Sequence, residues 1–227
     1  MGNIAVFGTA IVGQTHAERL VSLGHDVMIG TRNVKETLAR SGAGGKPSFS
    51  EWLKKFPNIK PGTYAEAAAF GELIINATNG SGTLAAFELA GKNNLSAKVI
   101  LDISNPLDFS KGMPPSLFVC NTDSLAEQIQ QKFPETKVVK ALNTMNANVQ
   151  VNPALVPEDH NAFLAGNDEA AKTKVKELLR SYGWSDKSIM DLGDLTASRG
   201  LEMILQLWVR LWSVIKNPMF NFKIVTG

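Results

Sequence analysis

A short turn that contains glycine lies where a phosphate group could bind. An apolar run at residues 4–7 is followed by Gly8, Thr9, Ala10, Ile11, Val12 and Gly13. This spacing is that of the fingerprint with which Rossmann domains bind dinucleotides, with Ala10 at the second glycine position. Gly8 would allow the tight turn, Ala10 would let a pyrophosphate approach the backbone, and Gly13 would let a helix pack on the strand. A tight turn without a ligand would have the same pattern.

The residues after the second apolar run favour NADP(H) over NAD(H). NAD-specific domains have Asp or Glu there to bind the ribose hydroxyls, whereas this chain has Thr31, Arg32 and Asn33, with Lys35 close behind. Arg32 would offer a fork of N–H donors to a 2′-phosphate, and Thr31 and Asn33 could add neutral hydrogen bonds. The alternative is that Arg32 is an ordinary solvated surface residue.

Three further polar segments follow predicted strands and could line the same ligand. They contain Thr78, Asn79 and Gly80; Ser104, Asn105 and Pro106; and Asn143 and Thr144. Each segment alone is more typical of an ordinary turn. Ligands of open α/β sheets bind beyond the carboxyl ends of the strands, so the three segments together predict one binding crevice.

No acid–base or metal-binding set stands out in the sequence. There is no Tyr-x-x-x-Lys pair, and His16, His25 and His160 lack the spacing of metal ligands. No serine or cysteine has the setting of a nucleophile. We therefore predict no catalytic residue and no metal, and expect His16 and His25 to be structural. Hydride transfer between two bound rings fits this composition, because it needs alignment and exclusion of water.

Strand and helix patterns alternate along the first two thirds of the chain. Predicted strands lie at residues 4–7, 26–29, 58–60, 73–78, 98–103 and 137–142, and predicted helices at 12–23, 49–56, 64–70, 83–89 and 123–133. Thr63 and Glu66 have capping-box spacing before the third helix. The alternation predicts a Rossmann-type, doubly wound, mostly parallel α/β sheet over residues 1–150, which would bind NADP(H).

Residues 151–227 predict a smaller C-terminal α/β or helical unit. Strands are expected at 162–165 and 188–192, and helices at 169–182 and 197–216. The last helix has an apolar stripe at helical spacing, made of Leu201, Ile204, Leu205, Trp208, Leu211, Trp212 and Ile215. Such a stripe is more typical of a core or subunit interface than of a substrate pocket. The helix is therefore predicted to form a dimer or to cover the substrate.

Composition and charge exclude several classes of partner. The chain has 227 residues, 44% of them hydrophobic, and a formal charge of +2 without runs of like charge. This composition predicts neither nucleic-acid nor membrane binding. The apolar segment of the last helix is too short for a membrane span, and no signal peptide is expected, so we predict a cytoplasmic protein. The single cysteine, Cys120, is expected in a buried apolar segment.

The motifs together resemble the deazaflavin (coenzyme F-420)-dependent NADP reductase family. The resemblance rests on residues 8–13, 30–33, 102–106, 137–144 and 193–199, which are also similar to the NADPH-binding domain of the STEAP metalloreductases. It implies NADPH held by the first two motifs and a nicotinamide near Ser104, Asn105, Asn143 and Thr144. Ile103, Pro106 and Ala141 belong to the same motifs. The family further implies a homodimer and a deazaflavin or flavin that exchanges hydride with NADPH.

Two positions depart from the family pattern. Ala10 replaces the usual glycine, and Asn143 stands where the deazaflavin enzymes have histidine. The phosphate site is compatible with the first change, whereas the second leaves the hydride acceptor open. The leading hypothesis is an NADPH-dependent reductase with a small flavin-like or deazaflavin acceptor. Alternatives are reduction of an imine or ketone, and an NADPH-sensing or electron-relay module without catalysis of its own.

Overall fold

A computed structural model describes residues 2–42, 44–45 and 47–227 of the chain. Within these residues one eight-stranded sheet has the order β10-β9-β8-β5-β4-β1-β2-β3, and a two-stranded ribbon pairs β6 with β7. The strands are β1 (Asn3–Phe7), β2 (Asp26–Thr31), β3 (Ile59–Thr63), β4 (Leu73–Asn76), β5 (Val99–Asp102), β6 (Leu107–Asp108), β7 (Ser116–Leu117), β8 (Lys137–Ala141), β9 (Ala162–Gly166) and β10 (Ile189–Asp191).

Helices connect these strands and lie on both faces of the sheet. They are α1 (Ile11–Ser22), α2 (Val34–Ala39), α3 (Phe49–Leu53), α4 (Tyr64–Phe70), α5 (Gly80–Ala90), α6 (Lys92–Leu95), α7 (Leu125–Lys132), α8 (Ala147–Val151), α9 (Glu169–Tyr182) and α10 (Ser198–Ile215). The predicted Rossmann-type fold is confirmed. The weak strand expected near residue 59 is real, and the short helices α2, α6 and α8 were not predicted.

Strand order and direction place the predicted crevice. β1 lies between β2 and β4, and β2, β1, β4, β5 and β8 are parallel. The strands that follow β1 lie first on one side of it (β2, β3) and then on the other (β4, β5, β8), so the order of strands reverses next to β1. The carboxyl ends of the parallel strands share one edge of the sheet. We call it the carboxyl edge. The strand β9 pairs with β8 in the antiparallel direction, so residues 151–227 extend the same sheet. The predicted boundary near residue 150 stays a prediction.

Alternation along the strands builds an apolar layer on each face. Ile4 and Val6 of β1 pack on one face, against α1 and α9, while Ala5 and Phe7 pack on the other, against α4, α5 and α7. The side chains of β4 and β5 are buried along their whole length. This pattern is typical of central parallel strands that are covered on both sides.

Local capping explains where most helices begin. The capping box predicted for Thr63 and Glu66 is present at the start of α4, and Ser48 with Glu51 forms another at α3. Asn79 caps α5 and Asn146 caps α8 through their side-chain oxygens. The helix α1 differs, because Ala10 at its N-cap has no side chain that could accept a hydrogen bond.

The surroundings of Cys120 correct one expectation. Its thiol is exposed, as is much of the neighbouring Phe118 side chain. The expectation of a buried apolar segment was wrong because Leu117 ends the short ribbon at the protein surface, and residues 118–120 follow it without entering the main sheet. Among the described residues, no helix is long and apolar enough to cross a membrane. The same part of the chain has no cluster of three or more side chains suited to a metal ion.

His16 joins the first helix to the segment after β8. Its Nε2 lies 2.9 Å from Gln150 Oε1, and its Nδ1 lies 3.1 Å from the Tyr182 hydroxyl. The Gln150 amide nitrogen donates to Leu142 O, so Gln150 Oε1 accepts a hydrogen bond from His16 Nε2. Burial lowers the pKa of His16 to about 4, and the Gln150 hydrogen bond opposes this shift only in part. His16 is therefore buried as the neutral ring, and the structural role predicted for it fits these contacts.

This burial predicts a pH-dependent stability. The unfolded chain takes up a proton on His16 below about pH 6.5, while the folded chain does so only near pH 4, so stability is lost as the pH falls between these values. His16 should lower the free energy of unfolding by about 2 kcal/mol between pH 7 and pH 5. Urea unfolding of His16→Gln should show this part of the pH dependence removed, and His25→Gln should retain it. An unchanged slope in His16→Gln would contradict the assignment.

Candidate functional site

The turn after β1 is packed so closely that only glycine fits at two positions. Gly8 has φ +113°, and a Cβ there would lie 2.5 Å from Ala77 O. A Cβ at Gly13 would lie 2.0 Å from Gly8 O, so α1 is in direct backbone contact with the turn. The Gly8 N–H donates to Gly30 O at 3.1 Å, which ties the turn to β2. These contacts hold the N-terminus of α1 at the carboxyl edge.

The first turn of α1 is available to an anion. Ala10 provides no cap, and Ile11 and Ala10 are exposed to solvent. The side chain of Gln14 donates to Thr9 O at 2.8 Å and so supports the turn from behind. Free N–H groups and the positive end of the helix dipole favour a phosphate at such a terminus. The phosphate site at residues 8–13 stays a prediction, with which this geometry is compatible.

The four residues predicted to select the cofactor differ in their surroundings. Arg32 is exposed, with Lys35 also exposed on α2. The Thr31 hydroxyl is buried against the Thr37 hydroxyl at 2.8 Å. Asn33 caps α2 by accepting from Glu36 N, and its amide nitrogen donates to Glu36 Oε1. Arg32 is therefore free to meet a phosphate, whereas Thr31 and Asn33 already have partners within the protein.

Arg32 also lies near an aromatic ring. The positive charges of Arg32 and Arg40 both act on the Tyr64 hydroxyl, although burial dominates and raises the pKa of Tyr64. Tyr64 packs on Phe7, with ring centroids 5.0 Å apart, and touches the space beside Gly30. The end of β2 therefore combines exposed guanidinium groups with an apolar wall.

The three polar segments predicted to form a crevice are in contact with one another. A Cβ on Gly80 would lie 2.0 Å from Asn105 O, so α5 begins against the segment after β5. Asn105 donates to Asn143 O at 3.0 Å, and Asn143 donates back to Asn105 Oδ1 at 2.9 Å. Asn143 also donates to Leu201 O of α10 at 2.7 Å. The structure thus joins β4, β5, β8 and α10 at the carboxyl edge.

Four of the predicted site residues contribute little side-chain surface to this crevice. Ile103 and Ala141 belong to the apolar core, and Pro106 and Thr144 are buried. Between them Leu142 has φ +62°, a left-handed conformation that is uncommon for a residue with a side chain. Gln150 holds this strained residue by donating to Leu142 O at 2.8 Å. Backbone strain of this kind is concentrated at functional sites.

A cluster of buried charges lies directly beneath the crevice. It consists of Asp102, Lys140 and Glu202, and we call it the Lys140 cluster. The Lys140 ammonium lies 2.8 Å from Asp102 Oδ2, 2.8 Å from Glu202 Oε1 and 2.5 Å from Ser104 O. Burial would lower the pKa of Lys140, but the two carboxylates outweigh it and raise that pKa. Burial raises the pKa of Glu202, against the opposing effect of Lys140.

Further hydrogen bonds connect this cluster to the polar segments. Asp102 Oδ1 accepts from the Ser104 hydroxyl and from Asn76, both at 2.7 Å. Asn76 Oδ1 in turn accepts from the Thr78 hydroxyl at 2.7 Å. The side chains of Ser104 and Thr78 are thus oriented by the ends of two buried strands.

An open groove adjoins the crevice on the side of α5. Its polar rim includes Asn79, Gly80 and Ser81, and its apolar wall includes Leu84, Phe109 and Phe118. Phe109 and Phe118 are each about half exposed. Exposed aromatic rings beside a polar rim provide a surface on which a flat ring could pack.

Asp102, Lys140, Glu202 and Gln150 were not predicted from the sequence as parts of the site. A signal was present for two of them, since Lys140 lies in an otherwise apolar strand and Glu202 interrupts the apolar part of the last helix. A charge at a position that the pattern buries indicates a partner of opposite charge. The identity of the partner follows only from strand order, because Asp102 and Lys140 are adjacent on β5 and β8.

Comparison with known proteins points in the same direction as the geometry. Residues 3–106 match the model of the family described as NADP oxidoreductase coenzyme F420-dependent. A crystal structure from Arthrobacter sp. FB24, with the provisional name F420-dependent NADP reductase, is 51% identical, covers 100% of both chains and superposes with a TM-score of 0.94.

Two more distant relatives are similar over most of the chain. The F420-dependent NADP reductase of Methanothermobacter marburgensis is 27% identical over 222 residues, which are 96% of this chain and 95% of that protein. Metalloreductase STEAP3 of Rattus norvegicus is 26% identical over 213 residues, 93% of this chain. The chain spans only 38% of that metalloreductase.

The contact between Gly80 and Asn105 allows a steric test of the crevice. Gly80→Ala would place a methyl group into the backbone after β5, and such overpacking should lower the free energy of unfolding by about 1–3 kcal/mol. Gly82→Ala, two residues later on α5, meets no atom within 4 Å and is the matched control. It should gain about 0.5–1 kcal/mol from helix propensity. Equal effects of both changes on chemical unfolding would show that the close contact does not exist.

Proposed function

Because the chain belongs to the family of coenzyme F420-dependent NADP oxidoreductases, we propose that it exchanges hydride between NADPH and a flavin-like or deazaflavin acceptor. Members of this family are NADP-dependent oxidoreductases, and our proposal adds the class of hydride acceptor. The observation that carries the proposal is the exposed Arg32 at the end of β2, on the same edge as the uncapped start of α1. The proposal keeps the cytoplasmic location predicted from the sequence.

The residues at the carboxyl edge fit NADP(H). The pyrophosphate would meet the free N–H groups of α1, beside a turn in which a side chain at Gly8 or Gly13 would collide with a backbone oxygen. The adenosine 2′-phosphate would meet Arg32, whose planar fork matches phosphate oxygens. Lys35, exposed nearby on α2, would add positive charge. The nicotinamide would then lie toward the segments after β4, β5 and β8.

The cofactor supplies the hydride, so the task of the chain is to position two rings and exclude water. Asn105 and Asn143 hold each other through two hydrogen bonds, and each amide has its orientation fixed by a backbone carbonyl. Asn143 Oδ1 is buried and has no hydrogen-bond partner within the described part of the chain. An unpaired buried acceptor is costly, and a ligand N–H group would satisfy it.

The groove beside α5 supports a flat acceptor. A tricyclic ring system would cover the exposed faces of Phe109 and Phe118 while its polar edge met the rim at Asn79 and Ser81. Asn143, in place of histidine, offers a neutral amide that does not titrate near neutral pH. We therefore keep flavins and the deazaflavin together as one class of acceptor.

The end of α10 supports a homodimer. Trp212 is 40% exposed, Val214 73% and Ile215 49%, although all three lie on one apolar helix. A second copy of this helix would cover that surface, because contiguous exposed apolar side chains on soluble chains commonly mark interfaces. Val214→Asp should then shift the mass in solution toward that of a single chain, while Val225→Asp, near the C-terminus, should not.

Binding of the 2′-phosphate by Arg32 predicts a preference for NADPH over NADH, which mutation of Arg32 should remove. Arg32→Ala should weaken NADPH binding about 10- to 100-fold, because a charge-assisted bidentate contact contributes about 1.5–3 kcal/mol. NADH affinity should change little, because NADH lacks the 2′-phosphate. The control is Arg180→Ala, because Arg180 is an exposed arginine of α9 that is paired with Asp186. Calorimetric titration that gave equal NADPH and NADH affinity for the unmodified protein would contradict the proposal.

A panel of acceptors separates the candidate functions. NADPH oxidation should accelerate with coenzyme F420, FMN or FAD, measured beside a set of cyclic imines and ketones. Turnover of an imine or ketone without any flavin would favour the alternative reductase. Absence of turnover with every acceptor, together with a change of native mass on adding NADPH, would favour a sensing module.

A further inference from the structure

Three charged side chains from three separate elements are buried together at the carboxyl edge. Asp102 ends β5, Lys140 lies in β8 and Glu202 lies in α10, and their side chains are 0%, 0% and 1% exposed. Burying such a set gives little net stability, because the loss of hydration offsets most of the attraction between the charges. Apolar residues of similar volume would fill the same space. The directions of the hydrogen bonds therefore matter more than the attraction.

Each Lys140 proton has a defined acceptor, and one acceptor is a backbone atom of the crevice. Two protons go to Asp102 and Glu202, and the third goes to Ser104 O at 2.5 Å. An ammonium group has three donors and no acceptor, so this set uses it completely. Lys140 thereby fixes the peptide that leads from Ser104 to Asn105, which is the part of the crevice predicted to face the nicotinamide.

Glu202 extends the same restraint to the last helix. It accepts from the N–H groups of Leu125 at 2.8 Å and Ala126 at 3.2 Å, and so caps α7 from another element. The neighbouring Leu201 O accepts from Asn143 at 2.7 Å. Two consecutive residues of α10 therefore contact the start of α7, the Lys140 side chain of β8 and the segment after β8.

We propose that Lys140 is a positioning residue, which aligns the nicotinamide half of the cofactor through Ser104 and Glu202 without touching it. This inference rests on the proposed NADP(H) function and names a part of the site that acts through another residue. According to this proposal, different residues hold the phosphates and the nicotinamide of the dinucleotide. Arg32 and the α1 terminus would hold the phosphates independently of Lys140, since their contacts share no residue with the Lys140 cluster.

The chain provides a matched control for a merely structural role. Lys172 of α9 is 4% exposed and is paired with Glu169 at 2.7 Å and with Asp191 at 3.2 Å. It is thus a second buried lysine between two carboxylates. Asp191 lies on β10, the outermost strand of the sheet, and β9 separates it from β8. Lys172→Met therefore removes a buried lysine from outside the crevice, although its partners Glu169 and Asp191 are 82% and 26% exposed.

The test compares two ligands that differ only in the nicotinamide. Affinities of NADPH and 2′-phospho-ADP-ribose are measured by calorimetry for the unmodified protein, Lys140→Met, Glu202→Gln and Lys172→Met. Lys140→Met should weaken NADPH binding about tenfold or more and leave 2′-phospho-ADP-ribose within about twofold. Glu202→Gln should also weaken NADPH binding, by a smaller factor, and Lys172→Met should change neither affinity. The fluorescence of bound NADPH, which reports the nicotinamide surroundings, should change in parallel.

The remaining outcomes each decide the question. If the unmodified protein binds neither ligand, the proposed function fails and this inference fails with it. The positioning role alone is wrong if the unmodified protein binds both ligands with equal affinity. It is also wrong if Lys140→Met weakens the binding of both ligands by the same factor, or changes neither affinity. Should Lys140→Met not fold, Glu202→Gln decides by the same ratio of affinities, because the amide keeps the shape of the side chain and removes its charge.

Discussion

The backbone contact between the turn after β1 and the helix α1 is the constraint on which the rest of the site depends. A Cβ at Gly13 would lie 2.0 Å from Gly8 O, so peptide groups pack directly on each other. This contact sets the start of α1 at the carboxyl edge, where Ala10 leaves it uncapped. A helix N-terminus without a cap has unsatisfied donors, and an anion supplies the missing acceptors. The phosphate site that we propose would therefore be a consequence of how strand and helix pack.

The opposite side of the crevice depends on charge instead of close backbone packing. Asp102, Lys140 and Glu202 are hidden from water, although ion pairs of this kind seldom add net stability. They do impose direction, because a misaligned buried charge has no solvent to replace its partner. Since Glu202 belongs to α10, residues beyond 151 form part of the crevice. The site is thus completed by the segment that the sequence analysis separated from the NADP(H)-binding part.

The sequence predicted the parts of this structure that depend on local pattern. Apolar periodicity located the strands and most helices, and the fingerprint at residues 8–13 located the turn between β1 and α1. It did not reveal that Asn33 caps α2 or that Thr31 bonds to Thr37, because both contacts depend on a short helix with little periodicity. The Lys140 cluster was missed for another reason. Its members are distant in sequence and meet only through strand order. The exposure of Cys120 was missed because an apolar run of four residues does not distinguish a core strand from a surface ribbon.

Phosphorus NMR of bound NADP⁺ can show whether the adenosine 2′-phosphate binds Arg32 while the pyrophosphate binds at α1. A free phosphate monoester takes up a proton near pH 6, at about its second pKa. A guanidinium partner favours the doubly charged form, so the bound 2′-phosphate resonance should keep its dianionic position down to about pH 5.5. The two pyrophosphate resonances should shift on binding. A 2′-phosphate that titrates in the complex as it does in free NADP⁺ would contradict the account.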